Sequence, residues 1–259
     1  MLTRGVLLLL SALAFTGSVW AGEGFAVVEL FTSEGCSSCP PADRVLSELV
    51  ANADTTGRPI YCLAFHVDSW DRLGWADRFA SPEYSERQRR YASALGESRV
   101  YTPQAIINGS VDVVGSNRRR LVDAIDDALD EDPEADLELT VAVGSDERSL
   151  EVEVTVEGVP PGTVLNLGVV ERALATDVGR GENAGRTLRH DNVVRAFESH
   201  TVAGDAVAVT VNLARQIDRR NASLIAYLQD LQTMRVLAAT TAPLSEWGTA
   251  AGGQEAAGS

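Results

Sequence analysis

Residues 25–41 run Phe25-Ala26-Val27-Val28-Glu29-Leu30-Phe31-Thr32-Ser33-Glu34-Gly35-Cys36-Ser37-Ser38-Cys39-Pro40-Pro41. The first eight are mostly apolar and β-branched, with Gly24 before them and Ser33-Glu34-Gly35 after, which predicts a buried strand. Past the cysteines, Ala42, Val45, Leu46, Leu49 and Val50 recur at helical spacing. Pro40 and Pro41 suit a helix start, because first-turn N–H groups have no partner inside the helix. Ile60 to Phe65 is again nearly all apolar, as a strand buried on both faces is. Strand, helix and strand predict a βαβ unit with Cys36-Ser37-Ser38-Cys39 where the first strand becomes the helix.

Working outward, Tyr84, Tyr91, Ala92 and Leu95 give residues 82–95 one apolar face, and Glu83, Glu86, Arg87, Arg89 and Arg90 give them a wet one. That predicts a second helix. Residues 104–109 and 110–115 form two short strands about Asn108-Gly109, a dipeptide that favours a tight hairpin. Leu121, Val122, Ile125, Ala128 and Leu129 mark a third helix capped by Ser116 or Asn117, with Arg118 to Arg120 as solvated surface at its start. After Asp130-Glu131-Asp132-Pro133 the pattern changes. Segments 136–143, 149–158, 164–170, 192–197, 206–213, 223–229 and 236–242 alternate or run apolar in short pieces, which suggests an all-β, sandwich-like unit.

Cys-x-x-Cys alone is an ambiguous signal. Haem attachment would need histidine where Pro40 stands, and a structural zinc site would need two further ligands close by. At a helix N-terminus the dipole favours a Cys36 thiolate. Three uses stay open: thiol–disulfide exchange, a soft-metal site of the copper(I) type built from Cys36, Cys39 and His66, and a non-catalytic module stapled by a structural disulfide. Cys62, inside an apolar strand, reads as a small buried hydrophobe. His66 and Asp68 end the second strand on the rim where Cys36 lies, and with Glu34 they are auxiliary candidates for holding protons. The plainer reading has them bond the loop that carries Trp70 and Trp75. His190, His200 and Gly179 to Arg186 fit a long hairpin loop without chemistry.

With Tyr101-Thr102-Pro103-Gln104-Ala105-Ile106-Ile107-Asn108-Gly109 in view, the sequence resembles the thioredoxin superfamily, and this run is similar to the Thr-x-Pro-x-x-x-Ile-Asn-Gly run of glutaredoxins. The resemblance implies an α/β thioredoxin-like N-terminal domain of order β-α-β-α-β-β-α. It implies a cis Pro103 that faces Cys36 together with Thr102, attack by Cys36, resolution by Cys39, and no cofactor. Leu30 stands where thioredoxins bury an aspartate, and Glu29, one place off, should point to the other face. The whole arrangement is similar to a secreted thioredoxin-like bacterial family of unknown function. The expected division is a signal peptide at 1–21, the thioredoxin-like domain at 22–133, the β-sandwich-like domain at 134–247 and a disordered tail at 248–259.

Met1-Leu2-Thr3-Arg4, an apolar run to Phe15 and Val19-Trp20-Ala21 have the order of a secretory leader. No other stretch approaches the roughly 20 apolar residues of a membrane span, so none is expected after cleavage. The 259-residue chain carries 37 acidic against 22 basic residues, all of them arginine, for a net charge of -15. That balance repels phosphate backbones and argues against nucleic-acid partners. The expected function is that of a periplasmic or secreted thiol–disulfide oxidoreductase. Its expected partners are protein thiols or disulfides and a redox partner protein.

Overall fold

The structure is a computed structural model that describes residues 15–18, 24–144, 148–214 and 216–246. Most of the expected leader and the whole of the expected tail lie outside them. Strand β1 (Phe15–Ser18) falls within the leader region. Among the described residues, no helix is long and apolar enough to cross a membrane.

Strands β2 (Ala26–Thr32) and β3 (Ile60–His66) lie parallel, with Ala26 opposite Ile60 and Thr32 opposite His66. Helix α1 (Pro40–Thr56) connects them and stops at Gly57, which takes the left-handed conformation with a φ of 71°. On the other edge of β2, β4 (Gln104–Ile107) runs antiparallel and pairs with β5 (Val111–Val114). Asn108 and Gly109 turn this hairpin at φ 43° and 71°, the positive pair that a tight two-residue hairpin needs. The Asn108 side chain accepts from the Val27 N–H at 2.7 Å and donates to the Phe25 carbonyl at 2.9 Å, so the turn is tied to β2. Helix α2 (Pro82–Ala94) begins at Ser81, whose hydroxyl accepts from the Glu83 N–H. Helix α3 (Arg118–Leu129) begins at Asn117, whose side chain accepts from the Arg120 N–H.

The sheets correct the expected fold class. The chain is mostly β, and a thioredoxin-like α/β domain followed by a separate β-sandwich is not what it forms. Strands β8 (Thr163–Glu171), β11 (Val193–Thr201), β13 (Ala222–Asp230) and β14 (Val236–Pro243) join the first four in one mixed sheet of eight, ordered β14-β13-β8-β11-β3-β2-β4-β5. The physical reason lies in two strands that cannot be edges. β3 is buried on both faces and needs a neighbour on each side. β11 supplies one, with Val193 opposite Ala64, the Ala64 N–H donating to the Asn192 carbonyl at 2.8 Å, and Asn192 Nδ2 donating to the Cys62 carbonyl at 2.8 Å. β8 is buried along all nine residues and takes β11 and β13 as partners.

Strands β6 (Asp136–Val143), β7 (Ser149–Glu157) and β12 (Ala206–Asn212), with β1, form a second, four-stranded layer. Their alternation turns Leu137, Leu139, Val141, Val152 and Val154 onto Leu165, Leu167, Leu224 and Leu228 of the large sheet. Helices α1 and α3 cover one face of β2 to β4 through Leu46, Leu49, Leu121 and Ile125. On the opposite face Phe31, Phe65 and Tyr91 share a core with Ile225, Tyr227 and Val236, so both halves of the chain bury one another. Within it Arg87, only 2% exposed, binds Glu29 through Nε at 2.6 Å and Nη2 at 2.7 Å, and reaches the hydroxyls of Tyr91 and Tyr227.

Candidate functional site

Cys39 is the N-cap of α1, and its disulfide to Cys36 closes the turn that leads off β2. Both cysteines are fully buried, while Ser37 and Ser38 between them are exposed. The Thr102–Pro103 peptide is cis and enters β4 beside the pair. Thr102 Oγ1 lies 3.3 Å from Cys36 Sγ, Ser38 Oγ lies 3.3 Å from the same sulfur, and Ser38 Oγ donates to the Thr102 carbonyl at 3.4 Å. Pro40 and Pro41 remove two of the amide donors that a helix start normally offers. The N–H groups of Ala42 and Asp43 are bonded to the Cys39 carbonyl. The polar groups that face Cys36 Sγ are therefore hydroxyls and a carbonyl rather than helix amides.

The C-terminal half lies over this turn. Strands β9 (Leu174–Asp177) and β10 (Thr187–His190) form a hairpin whose glycine-rich loop reaches the cysteines. The fully buried Asn183 donates through Nδ2 to the carbonyls of Glu34 at 2.9 Å and Cys36 at 3.0 Å, and Arg186 donates to its Oδ1 at 2.7 Å. Glu182 accepts from the Ser37 N–H at 3.0 Å. Trp75 packs beside Gly179 and Gly181 and donates its indole N–H to Glu34 at 2.8 Å.

Of the other residues singled out in the sequence, His66 is buried with Nδ1 2.6 Å from Asp77 Oδ2, and none of its hydrogen bonds or ion pairs reaches a sulfur. Burial works to lower the His66 pKa, but the charges of Asp77, Asp43 and Glu34 outweigh it, and the net shift is upward. Burial likewise works to raise Asp77, yet His66 and the N–H groups of Glu34 and Phe79 hold it below the usual carboxylate range. Asp68 accepts from Ser85 on α2 and takes no part in the cysteine turn. Glu34 lies under the turn; burial pushes it up, and the imidazole of His190 and the indole of Trp75 bring it below its ordinary value. His190 comes to the site, whereas His200 pairs with Glu198 at 3.1 Å elsewhere. Cys62 is buried in the core, its thiol pushed up to about 12 by burial.

Sequence reasoning missed Asp43, Asp77 and Asn183. Asp43 carried a usable signal: it lies on the same stripe of α1 as Ala42, Leu46 and Val50, a polar residue where the core is expected. It is buried, and its Oδ1 accepts from Thr32 Oγ1 at 2.7 Å.

Fold and site together define a mostly β protein with one mixed sheet, in which a strand-to-helix Cys-x-x-Cys disulfide is covered by a hairpin from the other half of the chain. The chain belongs to the family described as Protein of unknown function (DUF1223), which matches residues 27–229 and so spans every residue of the site. It is similar to an Agrobacterium tumefaciens protein solved by X-ray crystallography as a structural genomics target. That likeness has 28% identity, covers 85% of this chain and 95% of that one, and has a TM-score of 0.65. A domain of the outer membrane lipoprotein Omp28 from Porphyromonas gingivalis matches at 16% identity over 42% of this chain and 86% of its own, with a TM-score of 0.28, too slight to bear on fold or location. No curated protein matches the chain.

Proposed function

We propose that the protein exchanges its Cys36–Cys39 disulfide with the thiols and disulfides of other proteins in an exported compartment. The observation that carries this reading is the placement of Cys36 Sγ 3.3 Å from the hydroxyls of both Thr102 and Ser38, in a disulfide that opens onto the N-terminus of α1. Thr102 Oγ1 donates to a thiolate at Cys36 once the bond is broken, and Ser38 Oγ adds a second donor when its hydroxyl turns from the Thr102 carbonyl to the sulfur. In the oxidising direction a partner thiolate attacks Cys36 Sγ and Cys39 leaves. In the reducing direction the Cys36 thiolate attacks a partner disulfide, and Cys39 then attacks Cys36 Sγ and releases the partner. The chemistry needs only the two sulfurs. The leader-like order of residues 1–21 and a cysteine pair held as a disulfide support a periplasmic or secreted setting.

A copper(I)-type site gains no support, because none of the hydrogen bonds or ion pairs of His66 joins it to Cys36 or Cys39. Among the described residues no three His, Cys, Asp or Glu side chains are grouped as a metal would require. A structural staple has one observation in its favour, the full burial of both cysteines. Reduction of insulin disulfides by the full chain, and capture of partner proteins as mixed disulfides by a Cys39→Ser variant, test the exchange reading. A disulfide that dithiothreitol and glutathione open only after unfolding would make the pair a staple instead.

A further inference from the structure

A second group of side chains lies beneath the cysteines, and the exchange steps leave it idle. His190, at the end of β10, is 2% exposed and sits between two carboxylates, with Nε2 3.5 Å from Glu34 Oε1 and Nδ1 3.7 Å from Asp43 Oδ2. From β3, His66 stands edge-on to it with ring centroids 4.9 Å apart, and is held by Asp77. Phe79 flanks both imidazoles, and the cations of Arg78 and Arg195 lie over the Phe79 ring. Four buried polar atoms of this group have no hydrogen-bond partner: Glu34 Oε1, His66 Nε2 and both ring nitrogens of His190. Interiors rarely leave such atoms orphaned, and where they do a catalytic or redox role is one of the standing explanations.

A neutral imidazole has one N–H and one acceptor nitrogen, and an ionised carboxylate only accepts. With Asp43 protonated, its O–H faces Nδ1 while the Nε2–H faces Glu34. With Asp43 ionised, an imidazolium offers one N–H to each carboxylate. Either arrangement places one proton beyond the imidazole's own between Asp43 and His190. Burial raises the affinity of Asp43 for that proton, with the charges of His190 and His66 pulling the other way. Asp43 follows Cys39 by four residues on α1, and its N–H is bonded to the Cys39 carbonyl. Residues so spaced share a helix face, which puts the buried Asp43 one turn from Cys39, its carboxyl held by Thr32 at Oδ1 and facing His190 at Oδ2.

We propose that Asp43 and His190 take up the proton that Cys39 loses when it closes the disulfide, and return it when the disulfide opens. This rests on the exchange reading. In closure the Cys39 sulfur bonds to Cys36 Sγ, the bond from Cys36 to the partner sulfur breaks, and the partner leaves as a thiolate with the electron pair. The Cys39 proton passes to the Asp43–His190 pair. Opening runs the same step backwards, and the partner disulfide is the only oxidant.

The full chain, reduced and mixed with oxidised glutathione, first gains glutathione on Cys36 and then closes with its release; mass spectrometry of acid-quenched samples follows both steps. Asp43→Asn and His190→Gln should each slow closure on the order of 10²-fold near neutral pH, while glutathione uptake changes by no more than about twofold. The adduct should accumulate, and the deficit should shrink as pH rises and hydroxide deprotonates Cys39 directly. Wild-type closure rates with a wild-type pH profile, in variants whose circular dichroism and melting match the parent, would overturn the proposal. If one variant does not fold, the other decides. A wild-type protein that never takes up glutathione would instead sink the exchange reading, and this proposal with it.

Discussion

Replacing Asn183 with alanine tests whether the hairpin of the C-terminal half controls access to the disulfide. The side chain donates two hydrogen bonds, to the carbonyls of Glu34 and Cys36, in a place closed to solvent, and accepts a third from the exposed Arg186. Each buried carbonyl left without a donor costs about 1–3 kcal/mol. The space vacated by the side chain admits water, so the low end applies, roughly 2–3 kcal/mol for the two together. Because these bonds exist only while the loop is seated on the cysteine turn, the loss falls on the covered state and shifts the local equilibrium toward the open one. At about 1.4 kcal/mol per factor of ten, the open population rises about 30- to 150-fold. The assay is the rate at which dilute dithiothreitol reduces the native protein, read by alkylation and mass. Where reclosing outpaces attack, that rate follows the open population and should rise by the same factor. Reduction of Asn183→Ala at the wild-type rate would show that reductant reaches the sulfurs without moving the loop, and the covering role would be wrong.

Arg87→Met should cost about 3–5 kcal/mol, since it leaves Glu29 buried without its partner. Urea should still give one transition, because Tyr227 and Gln229 share the network with α2, and the dithiothreitol rate below the transition should stay at the wild-type value. Burial alone would raise Asp77 and lower His66, but their mutual charge reverses both shifts. The depressed Asp77 contributes stability that is present above its ordinary range and lost as pH falls through its folded value. The raised His66 contributes stability that is full below its ordinary range and lost as pH rises through its folded value. Urea midpoints should therefore be highest at roughly pH 4 to 6.5, and Asp77→Asn should flatten that profile. Iodoacetamide at neutral pH should label Cys36 and Cys39 in the reduced native protein and leave Cys62 untouched, because its thiol is pushed up to about 12; native labelling of Cys62 would place it elsewhere than in the core.

What the sequence made legible was whatever short-range periodicity encodes. β2, α1, β3 and α2 follow from runs and stripes of apolar residues, and the β4–β5 hairpin from Asn108-Gly109. The division of strands between sheets was not legible. The alternation in residues 136–242 suits any β layer, and nothing local in Val193 names Ala64 as its neighbour. The continuous apolar character of β3 did contain the answer in part, for a strand buried on both faces cannot end a sheet. At the site, Thr102 came only with the resemblance to the thioredoxin superfamily, whereas the cysteine pair announced itself by spacing. Asn183 and His190 did not, because a polar residue in a glycine-rich hairpin looks the same whether that hairpin meets water or a second element. The alternation of β10 buries Leu188 and His190 together, a weak sign that the histidine faces inward.

The C-terminal half is part of the site rather than an attachment to it. Leu30 leaves no carboxylate on β2 behind the cysteines, and the buried acid comes from α1 as Asp43. An isolated Asp43 there would be a poor exchange group, since burial holds its proton in place with nothing to share it. His190 changes that by giving the proton a second seat, and it arrives only because β9 and β10 lead into β11, which is locked to β3 through Val193 and the Asn192 side chain. The same geometry delivers Asn183 to the carbonyl of Cys36. A chain cut at residue 133 would keep both cysteines and Thr102, yet it would expose the edge of β3 and lose His190, Asn183 and Glu182 together. Continuation of the sheet past β3 therefore builds the cover of the disulfide and its proton-holding group in one step.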